Sequence, residues 1–209
     1  MNHPKNAIDP FFYLGAAFNL IIAWQYFRLW SSPGPDDGEL IVSFATLMAF
    51  EFVMVHSGVF MAVFPRKWSL LVFFPFYGLF ALAFSASMPN NLILWVYLIA
   101  VAGRMRFAFQ DVPIGERVRL IIRSAIAAFF YLILTFAVAI GAPIVPELGL
   151  TQEFLNSIGY FDISDTGGLF IDEPKTALSL GVFYFIAITV MEWFVARIKT
   201  GALQGMAPT

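Results

Sequence analysis

The sequence predicts an all-α, polytopic integral membrane protein with six transmembrane helices. Three observations carry that class. Hydrophobic residues make up 60% of the 209 and charged residues 12%, against roughly half and a quarter in soluble domains; so few charges cannot cover a soluble surface. Apolar runs near the ~20 residues needed to cross a bilayer recur along the chain. Lys and Arg gather at alternate ends of those runs, as the positive-inside rule requires.

The first span is 11–30. It is longer than the roughly 7–15-residue core of a signal peptide and no small-residue cleavage site follows it, so it reads as a retained helix. Asn19, Gln25 and Arg28 interrupt it, and Arg28 lies near enough to the end to snorkel. The acidic, Pro- and Gly-rich segment 31–39 is a turn. The second span, 40–64, is stopped by Pro65, by Arg66 and Lys67, which stay in water, and by Trp68, which suits the interface. The third, 69–87, contains Pro75, whose missing N–H predicts a kink in its first third.

The fourth span begins after a tight turn at 88–91. A helix from 91 to Arg104 covers only about 20 Å of a core of about 30 Å, so it must run to about 110. Segment 111–119 reads as a polar connector. The fifth span is 120–141, where Ser124 and Ala128, then Ala137 and Gly141, are small residues four apart that let helices approach. The sixth is 177–196. Between the last two, 142–176 is the one long loop, carrying Glu147, Glu153, Asp162, Asp165, Asp172 and Glu173. Residues 160–164 and 169–172 read as short strands of a hairpin around an Asp-Thr-Gly-Gly turn, or else as part of an irregular lid.

With the N-terminus in the cytoplasm, ten of the twelve Lys and Arg fall on inner segments and only Arg28 and Lys175 fall outside. Both ends are then cytoplasmic and the acidic loop faces outward. The whole chain reads as one membrane domain, most simply of a bacterial inner (plasma) membrane, with the lipid bilayer and further copies of itself as partners and the outer loop open to a protein partner. The net charge of −2 points to no nucleic acid.

Composition also narrows the chemistry. The chain has no Cys and two His, which excludes disulfides, thiolate zinc and iron–sulfur ligation. No Lys lies mid-span, so a retinal Schiff base has no anchor. No haem, iron–sulfur cluster or retinal is expected. The sequence contains no G-x-S-x-G, P-loop, G-x-G-x-x-G or H-E-x-x-H motif.

What remains is a set of ionisable residues where lipid penalises them. A charge at mid-bilayer costs at least about 2.5–3.5 kcal/mol, so Glu51 needs a partner. His56 lies five residues deeper, about 140° around the helix, and the two do not share a face. Ser57 follows His56. Glu192, near the inner end of the last span, shares its depth with His56 and with Arg104, Arg106 and Arg123. The leading expectation is a small channel or transporter with a proton or cation path through Glu51, His56, Ser57 and Glu192, since such groups bind and release protons near neutral pH once burial shifts them. A second is a non-transporting scaffold or accessory subunit whose acidic loop binds a partner. A third is a metal-dependent membrane enzyme using Glu51, His56 and Glu192. Arg104, Arg106 and Arg123 are candidate contacts for lipid phosphates or another anion. In the outer loop, Asp162 and Glu173 occupy the first and last positions of a calcium-loop spacing.

Overall fold

Two prolines open the helices that pack most extensively on each other. Pro10 begins α1 (Pro10–Ser31) and Pro174 begins α8 (Pro174–Arg197); at a first helical position the missing N–H costs no bond and φ is already set. The computed structural model describes residues 10–63, 69–86, 95, 114–163 and 167–197. Among these there is no strand. The other long helices are α2 (Gly38–Val63) and α4 (Ile114–Ile140), with α3 (Phe74–Ala86) between them in the chain. Three stretches, Gly38–His56, Ile121–Ile140 and Pro174–Phe194, are long and apolar enough to cross a membrane.

α8 is the central element. It lies along α1 and also packs on α4 and α2, while α2 packs on α4 and α3. Where the surroundings are apolar on every side, close packing and small residues hold helices together. Gly181 does this for α8: a Cβ there would overlap the ring of Tyr26. Tyr26, fully buried on α1, stacks on Phe185 of α8 at 5.8 Å and meets Phe44 of α2 edge-on at 4.8 Å. Its hydroxyl donates to the Phe44 carbonyl at 3.0 Å. One ring thus joins three helices.

The turn from α1 to α2 is locked by charge. Asp37 accepts from Arg28 Nη1 at 2.8 Å and Nη2 at 3.2 Å, and from the Gly34 amide at 2.7 Å. The Arg28 guanidinium, bonded in this way, holds the Asp37 carboxyl below the usual carboxylate range, with the Gly34 amide acting in the same direction. Gln25 takes the Arg28 Nε–H at 3.2 Å. Arg28 therefore has a fixed partner at the C-terminal end of its helix.

The structure adjusts several expectations. The segment before Pro75 is a π-helical turn, Ser69–Phe73, that passes directly into α3; a widened turn relocates the carbonyls that the Pro75 nitrogen cannot serve. The expected connector at 111–119 is helical from Ile114, so α4 begins about two turns early. The last helix begins at Pro174 rather than 177. The expected fourth span, 91–110, lies outside the described residues except for Trp95, which is helical.

The largest correction concerns 142–173. In place of a hairpin the chain forms α5 (Gln152–Ser157), α6 (Tyr160–Ile163) and α7 (Leu169–Asp172). Local bonds win over strand pairing. The Thr151 hydroxyl caps α5 by accepting from the Phe154 amide at 3.2 Å. The Gly168 carbonyl accepts from Ile171 and Asp172, both at 2.8 Å, and the Asp172 carboxylate takes the Gly168 amide at 3.0 Å. Gly168, at φ 132°, supplies a backbone angle few other residues adopt.

These helices form a cap on the end of the bundle where α1 ends and α2 and α8 begin. Leu150, Leu155 and Tyr160 are buried in the same core as α1, α2 and α8. Tyr160 donates to the Ile171 carbonyl at 3.0 Å, and burial, aided by Asp172, pushes its phenol above the ordinary range. The cap is pinned to α1 by two bonds, Trp30 Nε1 to the Pro146 carbonyl at 2.9 Å and the Gly149 amide to the Trp30 carbonyl at 3.1 Å.

Candidate functional site

The middle of α2 is where polar chemistry meets the bundle. Glu51 faces α8, and Tyr184 of α8 donates its hydroxyl to Glu51 Oε1 at 2.9 Å. Tyr131 of α4 is buried at the same level and donates to the Met48 carbonyl at 2.6 Å. The rings of Tyr131 and Tyr184 meet edge-on at 5.4 Å. α8 thus bonds the Glu51 carboxylate and α4 bonds the α2 backbone one turn away, the two phenol rings in contact. A phenol suits this position because it donates to a charged carboxylate and accepts from a protonated one.

His56 is placed differently. Its Nδ1 lies 2.7 Å from the Phe52 carbonyl on its own helix. A carbonyl only accepts, so Nδ1 carries the hydrogen and Nε2 is the open nitrogen. Its ring packs on Phe52 at 4.3 Å, and Phe52 in turn lies 6.1 Å from Tyr131. Phe52 is the face-mate that helical spacing assigns to His56. The side chain of Ser57 lies outside the described residues, as do Arg104 and Arg106.

A second polar layer lies toward the expected inner end. Arg123 of α4 forms an ion pair with Glu192 of α8. The Glu192 side chain is 6% exposed and that of Arg123 46%. A Cβ at Gly15 of α1 would stand 3.9 Å from Glu192 Oε2, so the carboxylate faces a helix surface left open by glycine. Tyr184 to Glu192 and Tyr131 to Arg123 are both steps of eight residues, about 12 Å of helix. The two layers are therefore in register on α4 and α8.

The metal candidates do not converge. Among the described residues no three His, Asp or Glu side chains form a group that could hold a metal. Glu51 faces Tyr184, Glu192 pairs with Arg123, and His56 turns to its own helix. In the cap, Glu173 lies 3.7 Å from Lys175, and Asp162 sits on a helical turn.

Sequence spacing put Arg123 and Glu192 at a common depth without pairing them; the structure joins them in an ion pair. The roles of Tyr184 and Tyr131 were missed. A signal for them exists: membrane tyrosines concentrate at the interfaces, and Tyr26, Tyr131 and Tyr184 each stand well inside an apolar run. No protein-family model matches this chain, and no characterised protein or solved structure does either.

Proposed function

We propose that the protein is a six-span integral protein of a bacterial inner membrane, with both ends cytoplasmic and the helical cap outside, and that it conducts protons or cations along a path through Glu51. The bond from Tyr184 to Glu51 carries this reading. An ionisable group in mid-span is a functional site by default. One of its partners here is a neutral hydroxyl that serves either protonation state, so that bond survives the coming and going of a proton. Glu192 with Arg123 is the next station about 12 Å further along α8. His56 forms a branch on the neighbouring face of α2, and Ser57, next in sequence, is proposed to serve the same path. Outward apolar side chains on α4, among them Phe129, Leu132, Ile133 and Phe136, face the lipid or another copy of the chain.

Flux into proteoliposomes loaded with a pH-sensitive dye tests the reading. Wild-type protein dissipates an imposed pH or cation gradient, Glu51→Gln abolishes the flux, and Tyr184→Phe slows it and shifts its pH profile. Absence of flux, or flux unchanged in Glu51→Gln, overturns it.

One observation favours a second reading, an accessory subunit that docks a partner on its outer face. The segment 142–173 is a folded cap bonded to Trp30, more structure than a passive connection needs. Under this reading a partner co-purifies with the wild type and is lost when cap carboxylates are neutralised, while Glu51→Gln leaves it bound.

A further inference from the structure

Helical bonding in α4 runs past its last residue, Ile140. The Gly141 amide donates to the Ala137 carbonyl at 2.9 Å, and the Val145 amide donates to the Gly141 carbonyl at 3.0 Å. Ile144 therefore stands one turn beyond Ile140 on the same face. At 80% and 85%, these two are the most exposed large apolar side chains among the described residues. They continue a stripe of exposed side chains three or four apart on α4, Phe129, Leu132 and Phe136.

The chain then crosses to the end of α1, where Trp30 holds it at two points. The Trp30 indole donates to the Pro146 carbonyl, and the Gly149 amide donates to the Trp30 carbonyl. Between these two points the Leu150 amide closes a turn onto the Glu147 carbonyl at 2.9 Å. Leu148, inside that turn, has φ 51°, and it is the one residue other than Gly with positive φ among the described residues. Glycine takes this conformation freely and leucine does not. An observed backbone outlier of this kind is a pointer to function. The side chain that the strained backbone presents is 46% exposed, so the core does not account for a leucine there.

The surface that fits is lipid. Of the three stretches able to cross a membrane, the one in α4 is 11% buried, against 56% and 61% for those in α2 and α8, so α4 lies at the edge of the bundle. Ile144 prolongs the membrane-crossing face of that helix without a break. Residues 140–150 hold a single charged residue, Glu147, and no Lys or Arg. Attachment to a bilayer here is then by apolar insertion, which scales with apolar area, and not by attraction to anionic headgroups.

We propose that segment 140–148 is a rim seated in the bilayer, with the acyl chains of the leaflet on the cap side covering Ile140, Ile144 and Leu148 and with Glu147 among the headgroups. One edge of the cap is thereby anchored in the membrane. The inference rests on α4 crossing the bilayer and is independent of the Glu51 path.

Spin labels test it. The chain has no Cys, so a single introduced Cys reports one site. Phe136→Cys, Ile144→Cys, Leu148→Cys and Glu153→Cys are labelled, and the full chain is reconstituted in phosphatidylcholine vesicles. Collision with oxygen, which concentrates in lipid, is compared with collision with a water-soluble nickel chelate. Labels at 144 and 148 favour oxygen, as the label at 136 does in mid-span, and the label at 153, exposed on the cap, favours nickel. Labels at 144 and 148 that favour nickel overturn the proposal, as do labels shielded from both reagents, which would mark a protein contact with another copy. A label at 136 that favours nickel overturns the membrane crossing of α4, and the rim with it.

Discussion

The hydroxyl of Tyr184 donates to Glu51 across 133 residues of chain, at 2.9 Å, and so ties the last long helix to the middle of the second. Interhelical hydrogen bonds of this kind contribute on average about 0.6 kcal/mol and up to about 1.7 kcal/mol. A double-mutant cycle with Tyr184→Phe and Glu51→Gln should return a coupling of about 1 kcal/mol in unfolding from mixed micelles. Strict additivity would show that the bond contributes nothing to stability.

The ion pair of Arg123 with Glu192 should respond unequally to loss of its two members. Breaking a buried pair costs on the order of 3–5 kcal/mol, and a half-exposed arginine moves the figure toward about 2 kcal/mol. Arg123→Gln strands a carboxylate that is 6% exposed. Glu192→Gln leaves a guanidinium that is 46% exposed on a long stem that can carry its charge toward the interface. Thermal unfolding in detergent should therefore rank Arg123→Gln as clearly the less stable, and equal midpoints would refute that ranking.

Gly181→Ala forces a methyl group into the Tyr26 ring. That ring is held by the Phe44 carbonyl and by two aromatic neighbours and has little room to retreat. Overpacking of this kind costs typically about 1–3 kcal/mol. The pair Gly181→Ala with Tyr26→Leu should recover stability relative to Tyr26→Leu with Gly181 intact, because the smaller side chain frees the space. Chemical denaturation of the four proteins measures it.

Asp37 predicts an acid limit. Its carboxyl is held below the usual range by the Arg28 guanidinium, so the folded state binds the proton less readily than the unfolded chain. The resulting stabilisation is fully present above the ordinary carboxylate pKa and is lost as pH falls through the lowered folded value. The stability gap between wild type and Asp37→Asn should be constant at neutral pH and close progressively below about pH 4. Urea melts over that range decide it; a gap that widens in acid contradicts the sign.

The sequence revealed what depends on composition and spacing, and concealed what depends on distant contacts. Helical pitch told that Glu51 and His56 diverge, and His56 indeed turns to Phe52. Counting along two spans put Glu192 and Arg123 at one depth, and they pair. Tyr184 could not be assigned to Glu51, because which faces meet depends on the rotation of each helix. The cap was misread for a different reason. Its helices are four to six residues long, too short to show a helical period, and Gly and Asp at their ends are the residues that also make hairpin turns.

The packing of α1 along α8 has a consequence for biosynthesis. The first of these helices to leave the ribosome is matched to the last. Until α8 has been made, Tyr26 has neither Phe185 to stack on nor Gly181 to lie against, and the matching face of α1 is an unfinished surface. A chain cut short before α8 would leave that face without its partner.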